Sequence, residues 1–183
     1  MASDFSIRHA AHIINQGGVI AYPTETVYGL GCDIYSPDAI ERLNQIKQRP
    51  RNKHFILLAG SIDQVRSLIR ISAEEEKRMT RNAEPTSWII DASSSAPAWL
   101  TSDQNTLTIR ITKNILVKKL CNIIGNAIIS TSANISGKTP AKKSIDLHRY
   151  FHHSVDKILV SDQIPGSKPS KIIRLCDNYV IRN

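Results

Sequence analysis

"TLTIRIT", residues 106–112, decides the fold class. Leu107, Ile109 and Ile111 fall on one face, and Thr106, Thr108, Arg110 and Thr112 on the other. That period of two is what a half-buried strand requires. Working outward, "GVIAY" (18–22), "FILLA" (55–59), "SWIID" (87–91), "AIIST" (127–131) and "KILV" (157–160) read as further strands, with two short ones near 171–175 and 179–182. Helical patterns separate them. Ile7, Ala10, Ala11 and Ile14 share a face over 5–16, and Gly17 is a stop. Ser36-Pro37-Asp38 starts a helix with the stripe Ile40, Leu43 and Ile46, which Pro50 ends. Ser61 with Gln64, and Ser72 with Glu75, predict capping boxes for helices over about 62–70 and 73–81. Two more helices are expected over about 113–123 and 144–152. Helices and strands alternate without a strict repeat, and some strands are close enough to pair antiparallel. The prediction is a single α/β domain, residues 1–183, with a mixed parallel and antiparallel sheet flanked by helices.

Composition sets the outer bounds. The chain has 183 residues, enough for a sizeable core without disulfides. Its three cysteines, Cys32, Cys121 and Cys176, are far apart with no CxxC pair. That argues against a disulfide framework or zinc site and fits a reducing cytoplasm. No apolar run reaches a membrane span and no signal-peptide pattern opens the chain, so a cytoplasmic, membrane-free protein is expected. The net charge is +8. It admits two readings: an anionic partner such as a nucleotide or RNA, or simply a basic soluble protein.

Four segments are polar where the chain leaves a buried strand, the usual place for ligands in open α/β sheets. "YPTETVYGLG" (22–31) offers the Thr24 and Thr26 hydroxyls and two glycines that admit close approach. It also reads as a tight turn. "KQRPRNK" (47–53) holds Lys47, Arg49, Arg51 and Lys53 with no acid among them, which suits a polyphosphate or a solvated helix end. Arg110 stands alone among small hydroxyls, suited to a carboxylate or to a cross-strand ion pair. "STSANISGKTP" (130–140) sets Ser130, Thr131, Ser132, Asn134 and Ser136 beside a strand end, a density that resembles an oxyanion or phosphate nest. No His, Cys or acid set has metal spacing, and "GKTP" lacks the loop of a P-loop.

Taken in order, "GGVIAYPTETVYGLGCD" (17–33), "KQRPRNK", "LTIRIT" (107–112), "STSANISGKTP" and "PSKIIRL" (169–175) resemble the YrdC-like family, the threonylcarbamoyl-AMP synthases. The resemblance is to the short bacterial form. It implies a twisted mixed sheet with a concave, positively charged ligand face. It implies a reaction of L-threonine, bicarbonate or carbon dioxide, and ATP, with magnesium carried by the nucleotide. The products would be threonylcarbamoyl-adenylate and pyrophosphate, and a separate transferase complex would then modify tRNA beside the anticodon. By resemblance, Lys47, Arg49 and Lys53 face the ATP phosphates, and Ser132 and Asn134 serve the same phosphates. Of these, Lys47, Arg49, Ser132 and Asn134 are the catalytic candidates. Thr106 and Pro140 lie near the adenylate, and Arg182 closes over the nucleotide. Thr26, Arg110, Ser130 and Ser170 hold threonine, with Arg110 on its carboxylate.

Two positions depart from the family pattern. "NAEPTS" (82–87) replaces a Trp-Pro-Gly-Pro stretch of many members, and Leu58 stands where longer members carry a His. The rival readings are a non-catalytic tRNA- or rRNA-binding protein of the same fold, and an enzyme using another carbamoyl substrate. Few aromatics for base stacking speak against the first. The short chain speaks against the second.

Overall fold

The computed structural model describes residues 2–48, 55–141, 143–160 and 169–183. Five α-helices are formed among the described residues: α1 (Asp4–Asn15), α2 (Pro37–Lys47), α3 (Ala73–Arg81), α4 (Ile115–Ile124) and α5 (Ser144–Phe151). Nine strands among the described residues make one sheet. They are β1 (Ile20–Tyr22), β2 (Gly29–Gly31), β3 (Ile56–Ala59), β4 (Thr86–Asp91), β5 (Thr106–Ile111), β6 (Ile128–Ser132), β7 (Lys157–Ile158), β8 (Lys171–Arg174) and β9 (Val180–Arg182). Their order is β7-β1-β2-β6-β3-β5-β4-β8-β9. β3–β5, β4–β8 and β1–β7 are parallel; β1–β2, β2–β6, β3–β6, β4–β5 and β8–β9 are antiparallel. The mixed sheet expected from the sequence is present. No helix among the described residues is long and apolar enough to cross a membrane.

Local chemistry sets the helix starts. Ser36 Oγ accepts from Ala39 N with Pro37 in the first turn, Asn114 Oδ1 accepts from Val117 N, and Ser72 and Glu75 form the reciprocal box. The second expected box is absent. Ser61 makes no capping bond, and residues 62–68 form two short 3₁₀ turns rather than one helix. Gln64 Oε1 instead accepts from Gly60 N at 2.8 Å, one residue earlier than a capping box would place it. A second difference is β2, a strand where the sequence pattern predicts loop. Its two glycines hide the alternation by which strands are recognised.

Helices cover both faces of the sheet. α1 and α4 bury Ile7, Ala10, Ala11, Ile14, Val117, Leu120 and Cys121 against Ile20, Tyr22, Leu58 and Ile128. On the opposite face, α2 and α5 bury Ile40, Leu43, Leu147 and Phe151 against Ala21, Leu30, Leu57, Leu107, Ile109 and Ile129. Each large side chain so buried contributes about 1.5–3 kcal/mol.

The cysteines divide accordingly. Cys32 and Cys121 are buried and Cys176 is exposed. Burial pushes both inner thiols up to about 12, so at pH 8 almost none is thiolate. A disulfide reagent should therefore titrate one thiol in the native chain at pH 8 and three in guanidinium. Three fast thiols in the native chain would contradict this packing.

Candidate active site

Strand register brings the polar positions together. Residues directly opposite across a sheet share a face. Tyr22, Gly29 and Ser132 are aligned across β1, β2 and β6. Ser130, Ile56 and Thr108 are aligned across β6, β3 and β5, with Arg110 two residues further on. Ser87, Ile172 and Arg182 are aligned across β4, β8 and β9. All lie on the face that α1 and α4 cover at Ile20, Leu58 and Ile128. Beyond those helices the same face opens into a cavity of about 220 Å³. Thr24, Thr26, Arg110, Ser130, Ser132 and Ser170 line it, with Pro140 and Arg182 at its walls.

Arg110 is 4% exposed and anchors the site. Its Nη1 donates to Thr26 Oγ1 at 3.2 Å, and the chain of hydroxyls beyond runs one way. Thr24 Oγ1 donates to the Val27 carbonyl at 2.7 Å, so in the 3.0 Å Thr24–Thr26 contact the proton belongs to Thr26. Arg110 Nε lies 3.5 Å from Glu25 Oε1 but makes no hydrogen bond. Glu25 is held off by Thr112, whose Oγ1 donates to Oε2 at 2.8 Å and accepts from Asn114 N at the start of α4. Arg110 thus faces an internal carboxylate, carried by the loop residue Glu25 rather than by a neighbouring strand, and it also lines the cavity. A buried donor without an acceptor is costly, and a guanidinium that lines a cavity is suited to a bound carboxylate.

On the far wall, Arg182 donates to the Ser170 carbonyl through Nε (3.0 Å) and Nη2 (2.7 Å). Ser170 Oγ lies 2.9 Å from Ser87 Oγ. Burial, and then the Arg110 charge, hold the Arg182 guanidinium below its ordinary range. Two cations on one cavity are disposed for an anion. Ser87 belongs to the "NAEPTS" stretch, so that segment reaches the site through Ser170.

The loop after β6 is ordered from α2. Lys47 lies on the buried stripe of α2, 2% exposed, and donates from Nζ to the carbonyls of Ser132 (2.5 Å) and Asn134 (2.8 Å) and to Asn134 Oδ1 (3.3 Å). Ser132 Oγ donates to Asn134 Oδ1 at 2.6 Å, and Asn134 Nδ2 donates to the carbonyls of Ile135 and Lys138. Of this group only Ser132 lines the cavity. Lys47 and Asn134, expected at the phosphates, do not line this cavity, and their hydrogen bonds shape the loop that presents Ser132. The Thr106 position also differs. It lies on the ligand face but outside the first cavity, in an adjoining one with Gln104, Arg174 and Ile181 that shares Thr108. Arg49, Arg51 and Lys53 lie outside the described residues. Leu58, at the family His position, is fully buried under α1 and α4 and does not line the cavity.

Three groups have no signature in the sequence. Tyr22 reads only as the end of a buried strand, yet its hydroxyl donates to Ser130 Oγ at 2.9 Å. Ser87 and Glu25 touch site residues from segments whose roles no spacing reveals.

The Sua5/YciO/YrdC family model, described as "Telomere recombination", matches residues 12–183. The chain belongs to this family. A threonylcarbamoyl-AMP synthase of Methylobacillus flagellatus is 41% identical over 177 residues, 96% of this chain and 98% of its own. Among solved structures, E. coli YciO superposes with a TM-score of 0.85 at 27% identity, covering 97% of this chain and 88% of its own. P. abyssi Sua5 complexed with L-threonine gives 0.84 at 28% identity, over 94% of this chain and 51% of its own. The Sua5/YciO/YrdC domain thus accounts for the sheet and its flanking helices.

Proposed function

We propose that the chain is a threonylcarbamoyl-AMP synthase, joining L-threonine, bicarbonate or carbon dioxide, and ATP into threonylcarbamoyl-adenylate and pyrophosphate. One observation carries the reading: the buried Arg110, with an unfilled Nε donor, shares a cavity with Thr26, Ser130 and Ser170. The synthase relatives and the L-threonine complex of P. abyssi Sua5 support it. In this reading Arg110 takes the threonine carboxylate, with Thr26, Ser130 and Ser170 around the rest of the amino acid. The threonine amine adds to carbon dioxide. The carbamate oxygen then attacks the α-phosphorus of ATP, and pyrophosphate leaves. No covalent nucleophile is needed, so positioning and charge stabilisation do the catalysis.

Ser132 lies beside the nucleotide phosphates, with Asn134 and Lys47 holding it. Pro140 borders the adenylate and Arg182 closes over it. Thr106, in the adjoining cavity, takes the part of the nucleotide that extends past Thr108. Arg49 and Lys53 supply further charge to the phosphates. Magnesium enters on the nucleotide as part of the substrate. The adenylate passes to a transferase acting on tRNA, and the basic chain suits contact with that RNA.

The test is pyrophosphate release from ATP, magnesium and bicarbonate, with and without L-threonine. Release that requires both threonine and bicarbonate is expected. If a folded chain saturated with ATP releases none, the reading fails and salt-dependent RNA binding becomes the explanation to pursue.

A further inference from the structure

We propose that Tyr22 is a positioning residue that fixes the Ser130 hydroxyl as a hydrogen-bond donor to the amino-acid substrate. The inference rests on the synthase reading, since it names a further part of the same site.

Tyr22 is fully buried, and its hydroxyl donates to Ser130 Oγ at 2.9 Å. The ring lies across β2, where the sequence has glycine at both positions facing it. A Cβ at Gly29 would stand 3.2 Å from Tyr22 Cζ, and one at Gly31 would stand 3.0 Å from Cε1 and 3.1 Å from the hydroxyl oxygen. The Gly31 Cβ would also collide with the Ile129 carbonyl. The close approach for which these glycines are suited is therefore made by the Tyr22 ring. The packed ring fixes the position of its hydroxyl oxygen, and Ser130 Oγ is the acceptor within its reach. Burial raises the phenol well above its ordinary range, so it stays a donor at any working pH.

A serine hydroxyl has one hydrogen and two lone pairs. With a lone pair of Ser130 taken by Tyr22, its own hydrogen is left without an acceptor among the described residues. Ser130 is 5% exposed and lines the cavity, so that hydrogen is available to a ligand oxygen there. Tyr22 thereby selects which of the two roles of a hydroxyl Ser130 presents. Without it, Ser130 can rotate and offer a lone pair to a substrate oxygen, which repels.

The experiment is a double-mutant cycle on L-threonine binding, read by titration calorimetry, with KM values alongside. Tyr22→Phe keeps the ring between the glycines and removes one oxygen. It should raise the Kd and KM for L-threonine about five- to tenfold, the scale of one hydrogen bond. The KM for ATP should stay within about twofold. Ser130→Ala should cost a similar factor, and adding Tyr22→Phe to it should cost nothing more. Additive losses in the double variant would overturn the proposal, because the tyrosine would then act other than through Ser130. Equal losses in threonine and ATP would overturn it as well, marking a general packing defect. If wild-type chain binds L-threonine and Tyr22→Phe binds it equally, this inference alone fails. If wild-type chain does not bind L-threonine, the synthase reading fails and takes this inference with it.

Discussion

Arg110→Ala should cut kcat/KM for L-threonine by about two orders of magnitude or more, with a much smaller change in the KM for ATP. The size follows from the environment. Truncating one member of a buried, hydrogen-bonded charge pair costs about 2–5 kcal/mol, and 1.4 kcal/mol is tenfold. Arg110 is buried, supports Thr26 through Nη1, and keeps Nε unfilled beside the cavity. Its loss removes the donors for a carboxylate and leaves Glu25 on the same side of the site without its cation. Glu25 would then repel the group that Arg110 attracted. Arg110→Lys should restore only part of the loss, because an ammonium cannot reproduce a planar fork. Steady-state kinetics with each substrate varied separately check the prediction. Equal losses for threonine and ATP would place Arg110 elsewhere than on the amino acid.

Much of this site is legible in the amino-acid sequence, and the reason is the period of strands. Alternation in "TLTIRIT" puts Arg110 on the other face of the sheet from Leu107 and Ile109, and the same period in β6 puts Ser130 and Ser132 on one face. Register does the rest, since opposite residues share a face. What stays hidden depends on contacts between distant segments. The two glycines of β2 look like a turn until the Tyr22 ring is seen lying across them. The Ser61 and Gln64 pair looks like a helix start, but the glutamine reaches Gly60 instead. Glu25 and Ser87 act on site residues through single hydrogen bonds or ion pairs, and such bonds leave no periodic trace. Periodicity places Ile46 on the buried stripe of α2. The buried members are Ala39, Ile40, Leu43 and Lys47, so a cation occupies a position where periodicity expects an aliphatic side chain.

That lysine supports the second large effect. Lys47→Met keeps the length and apolar stem of the side chain and removes its charge. The Ser132 and Asn134 carbonyls and Asn134 Oδ1 then lose the ammonium that joins them in a part-buried setting, although Asn134 N still donates to the Ser132 carbonyl and Ser132 Oγ to Asn134 Oδ1. Hydrogen bonds to a charged group are worth about 1.5–3 kcal/mol each, so losing the two shorter ones costs about 3–6 kcal/mol. For a chain of this size that lowers the thermal midpoint by roughly 6–24 °C. The damage should stay near α2, where the Lys47 carbonyl also accepts from Ser136 N at 2.9 Å and so ties the loop at a second point. Ser132 would lose its fixed direction, and the KM for ATP should rise at least tenfold at temperatures where the variant is folded. Calorimetric unfolding and ATP kinetics together separate the two roles open to Lys47. A fallen midpoint with a raised KM for ATP identifies a residue that acts by holding the loop. Lost turnover with an unchanged midpoint would instead put the ammonium on the phosphates, as its place in "KQRPRNK" suggests. The loop-holding role follows because a lysine 2% exposed, directed to three oxygens of one loop, must give up those bonds before it can reach a ligand. A phosphate would have to compensate for all of them.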